Sequence, residues 1–268
     1  MSSTNGKYDF SEKVALVTGS SSGIGAAIAV QFAQYGAKVT ITGRNAENLD
    51  NVASKIAEVS NGVEALQIIG DLTIDDSLPK RLIDETVTKF GRLDFLVNNA
   101  GGSTPNGKLT STNLLEEFDQ VYKLNVRSIV ELTQLAVPYL EETKGNIINI
   151  SSITAFVPFN LIYGSAKAAL DMITKTSAKE LGPKGIRVNS INPGPVVTGF
   201  GRSLGVENDK YYEFLEQFER ETLMKRIGKP EDIANLASFL ASDEAINITG
   251  SLMVSDNGTL VYSPKFEI

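Results

Sequence analysis

The chain has no cysteine and no histidine among its 268 residues. The first absence removes disulfides, thiolate nucleophiles and thiol metal ligands together. The second removes the commonest general base near neutral pH and the commonest zinc ligand. Ser-His-Asp hydrolysis is thereby excluded, and so are zinc enzymes built on Cys and His. Positive charge is also in deficit: 25 Lys and Arg stand against 32 Asp and Glu, a formal net charge of −7. That field is unsuited to a nucleic-acid backbone, and an anionic ligand needs locally placed cations or main-chain N–H groups. No apolar run approaches the ~20 residues of a membrane helix. The opening stretch, MSSTNGKYDF, is polar and lacks the apolar core of a secretory signal. The expected setting is cytoplasmic, with neither nucleic acid nor membrane as a partner.

What is present alternates. Short β-branched runs occur as KVALVT (13–18), KVTIT (38–42), VEALQII (63–69), LDFLV (93–97), NIINI (146–150), IRVNSI (186–191) and SLMV (251–254). Between them lie segments of helical spacing. Ile24, Ile28 and Phe32 recur at i, i+4 and i+8, with Gly36 as a C′ residue behind them; Ile233, Leu236 and Leu240 repeat the pattern. Strand alternating with helix predicts an α/β fold: βαβ units, a parallel sheet of about seven strands, and helices on both faces. No Pro/Gly/Ser-rich linker divides residues 1–268, so one domain is expected. Residues 199–230 break the rhythm and are expected to form a helical flap.

The stretch VTGSSSGIG joins the first strand to the first helix and carries Gly19, Gly23 and Gly25. Glycines at a first βα turn permit a tight turn, close approach of a pyrophosphate and close packing of helix on strand, while the helix N-terminus offers N–H groups to phosphate. A site for NAD usually places a carboxylate at the end of the second strand. Here that position is Gly43, followed by Arg44. With no carboxylate to repel a 2′-phosphate and a guanidinium placed to bind one, NADP (NADPH) is expected, NAD less so. Tyr163 and Lys167 stand four apart in LIYGSAKAAL, hence on one face of a helix over 161–181 that starts after the fifth strand, at the sheet's carboxyl edge. A phenol of reference pKa about 10 becomes useful in proton transfer when a nearby ammonium and a positive nicotinamide ring lower it. This tuned phenol is expected to replace histidine.

These motifs, in this order, resemble the short-chain dehydrogenase/reductase family over about residues 12–258. Thr18 to Gly25 fit its T-G-x-x-x-G-x-G, and Tyr163 to Lys167 its Y-x-x-x-K. The resemblance implies a Rossmann-like doubly wound fold and an oxidoreductase acting on ketones or secondary alcohols. It implies that Tyr163 is the acid/base, that Lys167 also holds the nicotinamide ribose, that Ser152 binds the substrate oxygen and that Asn125 supports a water relay. The implied cofactor contacts are Gly19, Ser21, Ser22, Gly23, Ile24 and Gly25 in the first turn, Arg44, then Asp71 and Leu72 after the third strand. Asn99, Ala100 and Gly101 of NNAG follow, with Asn98 more structural, and then Pro193, Gly194, Val196 and Thr198 of NPGPVVT. Two departures stand out. Ser152 precedes Tyr163 by eleven residues where many relatives have thirteen, with Ser151 at twelve. Asn257 occupies a frequent glycine position. Phe156, Val157, Pro158 and Phe159, with Tyr211, Tyr212, Phe214, Leu215 and Phe218 of the flap, suit an apolar carbonyl or alcohol; they equally suit burial of the flap against the body or a neighbouring subunit. Relatives assemble as dimers or tetramers through the region of helix 161–181, rich in small residues here, so a homo-oligomer, a homotetramer in particular, is expected. Two other functions stay open: an NAD-dependent enzyme of the same family, and a non-catalytic NADP-binding sensor or scaffold.

Overall fold

The structure, a computed structural model, describes residues 7–220 and 222–261. Most of MSSTNGKYDF and residue 221 of the flap therefore lie outside the described residues. Seven strands form one parallel sheet: β1 (Val14–Val17), β2 (Lys38–Gly43), β3 (Leu66–Ile69), β4 (Phe95–Asn98), β5 (Asn146–Ile150), β6 (Arg187–Pro193) and β7 (Leu252–Ser255), in the order β3-β2-β1-β4-β5-β6-β7. β1, β4 and β5 are buried at every position. This is why they read as continuous apolar runs rather than alternating ones.

Side-chain alternation along those strands feeds two cores. Ala15, Val17, Phe95, Val97, Ile148 and Ile150 pack with helices α1 (Gly23–Gln34), α2 (Ala46–Val59) and α8 (Pro230–Ala241). Leu16, Leu96 and Ile147 pack on the other face with α3 (Leu78–Phe90), α5 (Ser128–Thr143) and the end of α6 (Leu161–Leu181). Helix α4 (Leu114–Tyr122) runs into α5 through a π-helical turn, Lys123–Arg127. α1 stops where expected, with Gly36 at φ +100° just past it. The edge strand β3 starts later than the sequence suggests. Its ladder with β2 opens at the pair Thr40–Leu66, and Val63 is exposed. β6 instead runs on to Pro193, opposite Ser255 of β7.

The segment after β6 is helical: a 3₁₀ turn, Gly199–Leu204, then α7 (Asn208–Glu219). A bridge between Val196 and Gly228 ties its two roots together. Asn257 adopts φ +53°, a left-handed conformation that asparagine tolerates better than most residues, which accounts for its glycine-like position. Among the described residues no helix is long and apolar enough to cross a membrane.

All strands point the same way, so every βα loop emerges on one edge. The chain leaves β1 toward β2 and β3, then returns to the other side of β1 as β4. That reversal makes a crevice between the carboxyl ends of β1 and β4, where ligands bind in open α/β sheets. The sheet beneath depends on residues such as Leu96, which is fully buried. Leu96→Ala removes about 2–5 kcal/mol of stability. In urea the unfolding midpoint should fall while the slope of the transition stays unchanged.

Candidate active site

The crevice begins with the turn after β1. Gly19 stands at φ +61°, and a Cβ there would lie 2.8 Å from the Ala100 Cα. Thr18 holds the two loops together: its Oγ1 accepts from the N–H groups of Asn99 and Ala100, each at 3.0 Å. Asn99 returns its amide to the carbonyls of Thr18 and Gly19, at 2.9 and 3.0 Å. Helix α1 then opens with Gly23, Ile24 and Gly25. The side chain of its N-cap, Ser22, makes no capping bond, so the first-turn N–H groups face outward. These are the donors a nucleotide phosphate needs. Thr198, from the loop after β6, closes the other wall. Its Cγ2 would lie 3.2 Å from a Cβ on Gly23, and its hydroxyl accepts from the Phe200 N–H. In that same loop Val196 is buried, and the N–H of Gly194, next to Pro193, donates to the Ser255 carbonyl.

The outer end of the crevice lies past β2 and β3. Ser21 fills the space beside Gly43: a Cβ at 43 would stand 2.7 Å from the Ser21 Oγ. Arg44 is exposed and pairs with Asp71 at 3.4 Å. Burial pushes the Asp71 carboxyl up, but hydrogen bonds from Thr73 and the Arg44 charge outweigh it and hold it below the usual range. Leu72, beside it, is buried. The structure thus joins Arg44 and Asp71 to each other, a contact between two loops that the sequence reading treated separately.

The inner end holds the groups able to move a proton. Asn160 caps α6 by accepting from the N–H groups of Ile162 and Tyr163, each at 3.0 Å, and so fixes where the helix starts and where its first turn points. Tyr163 and Lys167 then lie on one buried face; the Lys167 amine stands 5.5 Å from the Tyr163 ring centroid. Lys167 Nζ donates to the Ile150 carbonyl at 2.9 Å, at the end of β5. Ser152, two residues beyond that strand end, hydrogen-bonds the Tyr163 phenol, while Ser151 donates instead to the Lys167 carbonyl at 3.3 Å. Asn125 projects from the π-helical turn and donates to the carbonyls of Gly102 and Val121. A Cβ on Gly101 would sit 2.9 Å from Asn125 Oδ1 and 3.2 Å from Lys167 Nζ. Only glycine there lets the amide and the amine come so close. Asn98 lies below, buried and donating to Asn149 at 2.9 Å, in the sheet rather than in the crevice.

Lys167 and a bound, positive nicotinamide ring are together expected to draw the Tyr163 phenol down; burial in the chain alone acts the other way. Within the chain the phenol goes up: burial raises it, its bond to Ser152 pulls it partly back, and the nearby Tyr211 phenol raises it again. Desolvation wins because the flap covers the ring, with the Phe200 centroid 5.3 Å from that of Tyr163. Burial acts on Lys167 as well, lowering its amine to about 8, with the Asp171 carboxylate opposing the fall. At neutral pH the amine is still charged.

Asn160, Phe200, Asp171 and Asn192 escaped the sequence reading. An asparagine just ahead of a helical pattern is a visible capping signal. The position of Phe200 over the phenol is a tertiary contact with no local signature.

A family model described as Enoyl-(Acyl carrier protein) reductase matches residues 19–259. Tropinone reductase-like 3 of Erythroxylum coca is 36% identical over 252 residues, covering 93% of this chain and 94% of that protein. A structure of a short-chain dehydrogenase/reductase of unknown function from Caenorhabditis elegans, with cofactor, superposes with a TM-score of 0.89 at 37% identity, covering 95% and 97% of the two chains. L-sorbose reductase from Gluconobacter frateurii, complexed with NADPH and L-sorbose, superposes with a TM-score of 0.85 at 32% identity, covering 95% and 99%. Its crevice, its Tyr-Lys helix and these likenesses place the chain in the short-chain dehydrogenase/reductase family, as an NAD(P)-dependent oxidoreductase.

Proposed function

We propose that the protein is an NADP(H)-dependent oxidoreductase that interconverts an apolar ketone and its secondary alcohol, with Tyr163 as the acid/base. One observation carries this reading: the Tyr163 phenol is bonded to Ser152 and has the Lys167 amine beside it at the carboxyl edge of the sheet. A nicotinamide cofactor, when bound in the crevice, would supply or take up the hydride. Tyr163 gives its phenolic proton to the carbonyl oxygen during reduction and recovers it during oxidation. Ser152 holds that oxygen against the phenol. The Lys167 ammonium offsets the charge that develops on the phenolate. Asn125, fixed through Gly102 and Val121, stands behind Gly101 and supports a proton path to Lys167.

For the cofactor, an exposed Arg44 and a Ser21 side chain in the space that a carboxylate at position 43 would need both favour a 2′-phosphate. The NADPH in L-sorbose reductase agrees with this. For the substrate, Phe156, Val157 and Phe159 are exposed around the Ser152–Tyr163 loop, and Phe200 lies on the catalytic ring. We read the chain as one cytoplasmic domain that forms a homo-oligomer, a tetramer in the first instance. The exposed Leu161 and Met172 among the small residues of α6 support that reading.

Tyr163→Phe should abolish turnover across a panel of ketones and secondary alcohols while NADPH binding, followed by fluorescence, changes less than about threefold; retained turnover defeats the mechanism. A panel inactive with the native protein favours the sensor. Arg44→Asp should lower the NADPH-to-NADH ratio of kcat/KM by about 10–150-fold, the loss of a charge-assisted bond worth about 1.5–3 kcal/mol. An unchanged ratio removes Arg44 from cofactor selection. Lys167→Met tests the buried amine. In the cofactor-free protein the native lysine titrates at about 8 rather than its ordinary 10.5. The unfolded chain thus holds a proton that the folded one has lost between those values, and native stability should rise with pH across that window. Lys167→Met should be more stable than the native protein at pH 7 by about 1–3 kcal/mol, because the lost Ile150 bond offsets part of the relieved burial. That gain should shrink from pH 8 to 10.5.

A further inference from the structure

A buried carboxyl, Asp171, lies one helical turn beyond Lys167. Asp171 is 5% exposed, and it meets two segments at once, β6 and the end of β5. Asn192, on β6, donates to its Oδ2 at 2.8 Å. Ser190, on the same strand, has its hydroxyl 3.3 Å from Asp171 Oδ1 and 2.9 Å from Asn192 Oδ1. Ser151, just past β5, faces the carboxyl from the other side. The same Asn192 amide donates to the Ser152 carbonyl at 3.2 Å. Every one of these polar residues is buried.

We infer that Asp171 is a positioning residue for the reaction proposed above: through Asn192 it clamps the main chain of Ser152 to the Tyr-Lys helix, and its carboxylate is a buried counter-charge one helical turn from Lys167. The inference rests on that proposed reaction for its catalytic meaning, but the clamp and the counter-charge have readouts of their own. The clamp follows from connectivity. Ser152 sits on a turn after β5, Lys167 and Asp171 on α6, and Asn192 on β6, one residue before the strand gives way to the loop that carries Val196 and Thr198. One amide thus touches two of the three elements and belongs to the third. Loss of this link frees the Ser152 hydroxyl and the loop beside it to move independently of Tyr163. A displacement of about 1 Å at a reacting group can cost on the order of 100-fold in rate.

The counter-charge follows from what surrounds the carboxyl. The groups facing Asp171 are Ser151 from the β5 end, Ser190 and Asn192 from β6 and, on its own helix, the Lys167 ammonium. Burial pushes the Asp171 carboxyl up, and its three hydroxyl and amide partners together with Lys167 pull it back. In return Asp171 opposes the burial-driven fall of the Lys167 amine. A plain structural role would use the bonds to β6 and leave the lysine's titration alone.

The test uses the full chain. Asp171→Asn keeps the shape and removes the charge. In the cofactor-free variant the pH at which stability begins to rise should move below the native value by about half a unit or more, because Lys167 then loses its proton earlier. In the loaded enzyme the alkaline loss of kcat should move in the same direction, and kcat should fall by about 10–100-fold with substrate KM changed less than threefold. Asn192→Ala cuts the clamp but keeps the carboxylate: kcat should fall by at least tenfold while the pH of the stability rise stays at its native value. It also serves where Asp171→Asn folds poorly. Unchanged kcat in both variants overturns the clamp. An unmoved stability rise in Asp171→Asn overturns the counter-charge. If Tyr163→Phe retains turnover, the proposed chemistry falls, yet the stability readout on cofactor-free Asp171→Asn still decides the role of that carboxylate.

Discussion

The site depends on one constraint: a charged amine is held in the interior, at the end of a parallel sheet. Taking Lys167 from an ordinary 10.5 to about 8 corresponds to about 3 kcal/mol of unfavourable burial for its charged form. A chain without histidine has few other ways to place a proton-transfer partner near neutrality. The structure meets the cost locally. The last carbonyl of β5, that of Ile150, accepts from the amine. Asp171 supplies the opposing charge from one turn along the helix. Active sites commonly hold such unfavourable groups because the function needs them, and the surrounding core carries the difference.

The same strand ends bring the cofactor region and the proton-transfer region into one rigid frame. All seven strands finish on one edge, so the loops after β1, β4, β5 and β6 are neighbours without any long excursion. Short bonds lock them: Thr18 and Asn99 join the first turn to the β4 loop, Thr198 packs on Gly23, and Asn192 joins β6 to Ser152. Because each lock runs between main chain and a short side chain, the frame has little rotamer freedom to lose when a ligand arrives.

Much of the fold was legible in the sequence because periodicity is local. The helix from 161 to 181 has the bounds its pattern suggested, and Gly36 ends α1 in the left-handed conformation that only a residue without Cβ adopts freely. The edge strand is shorter than its apolar run suggests because Val63 has strand propensity but no ladder partner, and Glu64 and Ala65 after it favour strand little. At the site, the motifs indicated which residues come to one edge but not how they interact. The Arg44–Asp71 pair spans 27 positions and the Asn192 bond to Ser152 spans 40, and nothing in either local stretch encodes them. The upward shift of the Tyr163 phenol in the chain alone is hidden from the sequence for a related reason. A charge four residues away is visible in sequence, whereas the Phe200 ring that dries the phenol belongs to a distant flap.

The short spacing between Ser152 and Tyr163 shows how local geometry resolves an ambiguity that counting residues leaves open. Past β5 the chain stays extended, with Ser152 at φ −165° and ψ 155°, so successive side chains point to opposite sides. Two adjacent serines therefore cannot serve the same partner. Ser151 turns toward the underside of α6, where it meets the Lys167 carbonyl and the Asp171 carboxyl, and Ser152 is left to face the phenol. Ser152 then accepts from the Thr154 N–H and starts a 3₁₀ turn, Ile153–Ala155, which uses few residues to reverse direction. Residues 156–159 lie between that turn and the Asn160 cap. Their apolar side chains stay exposed at the mouth, with Phe156 47% and Phe159 55% accessible. Phe200, from the flap, lies against the Tyr163 ring.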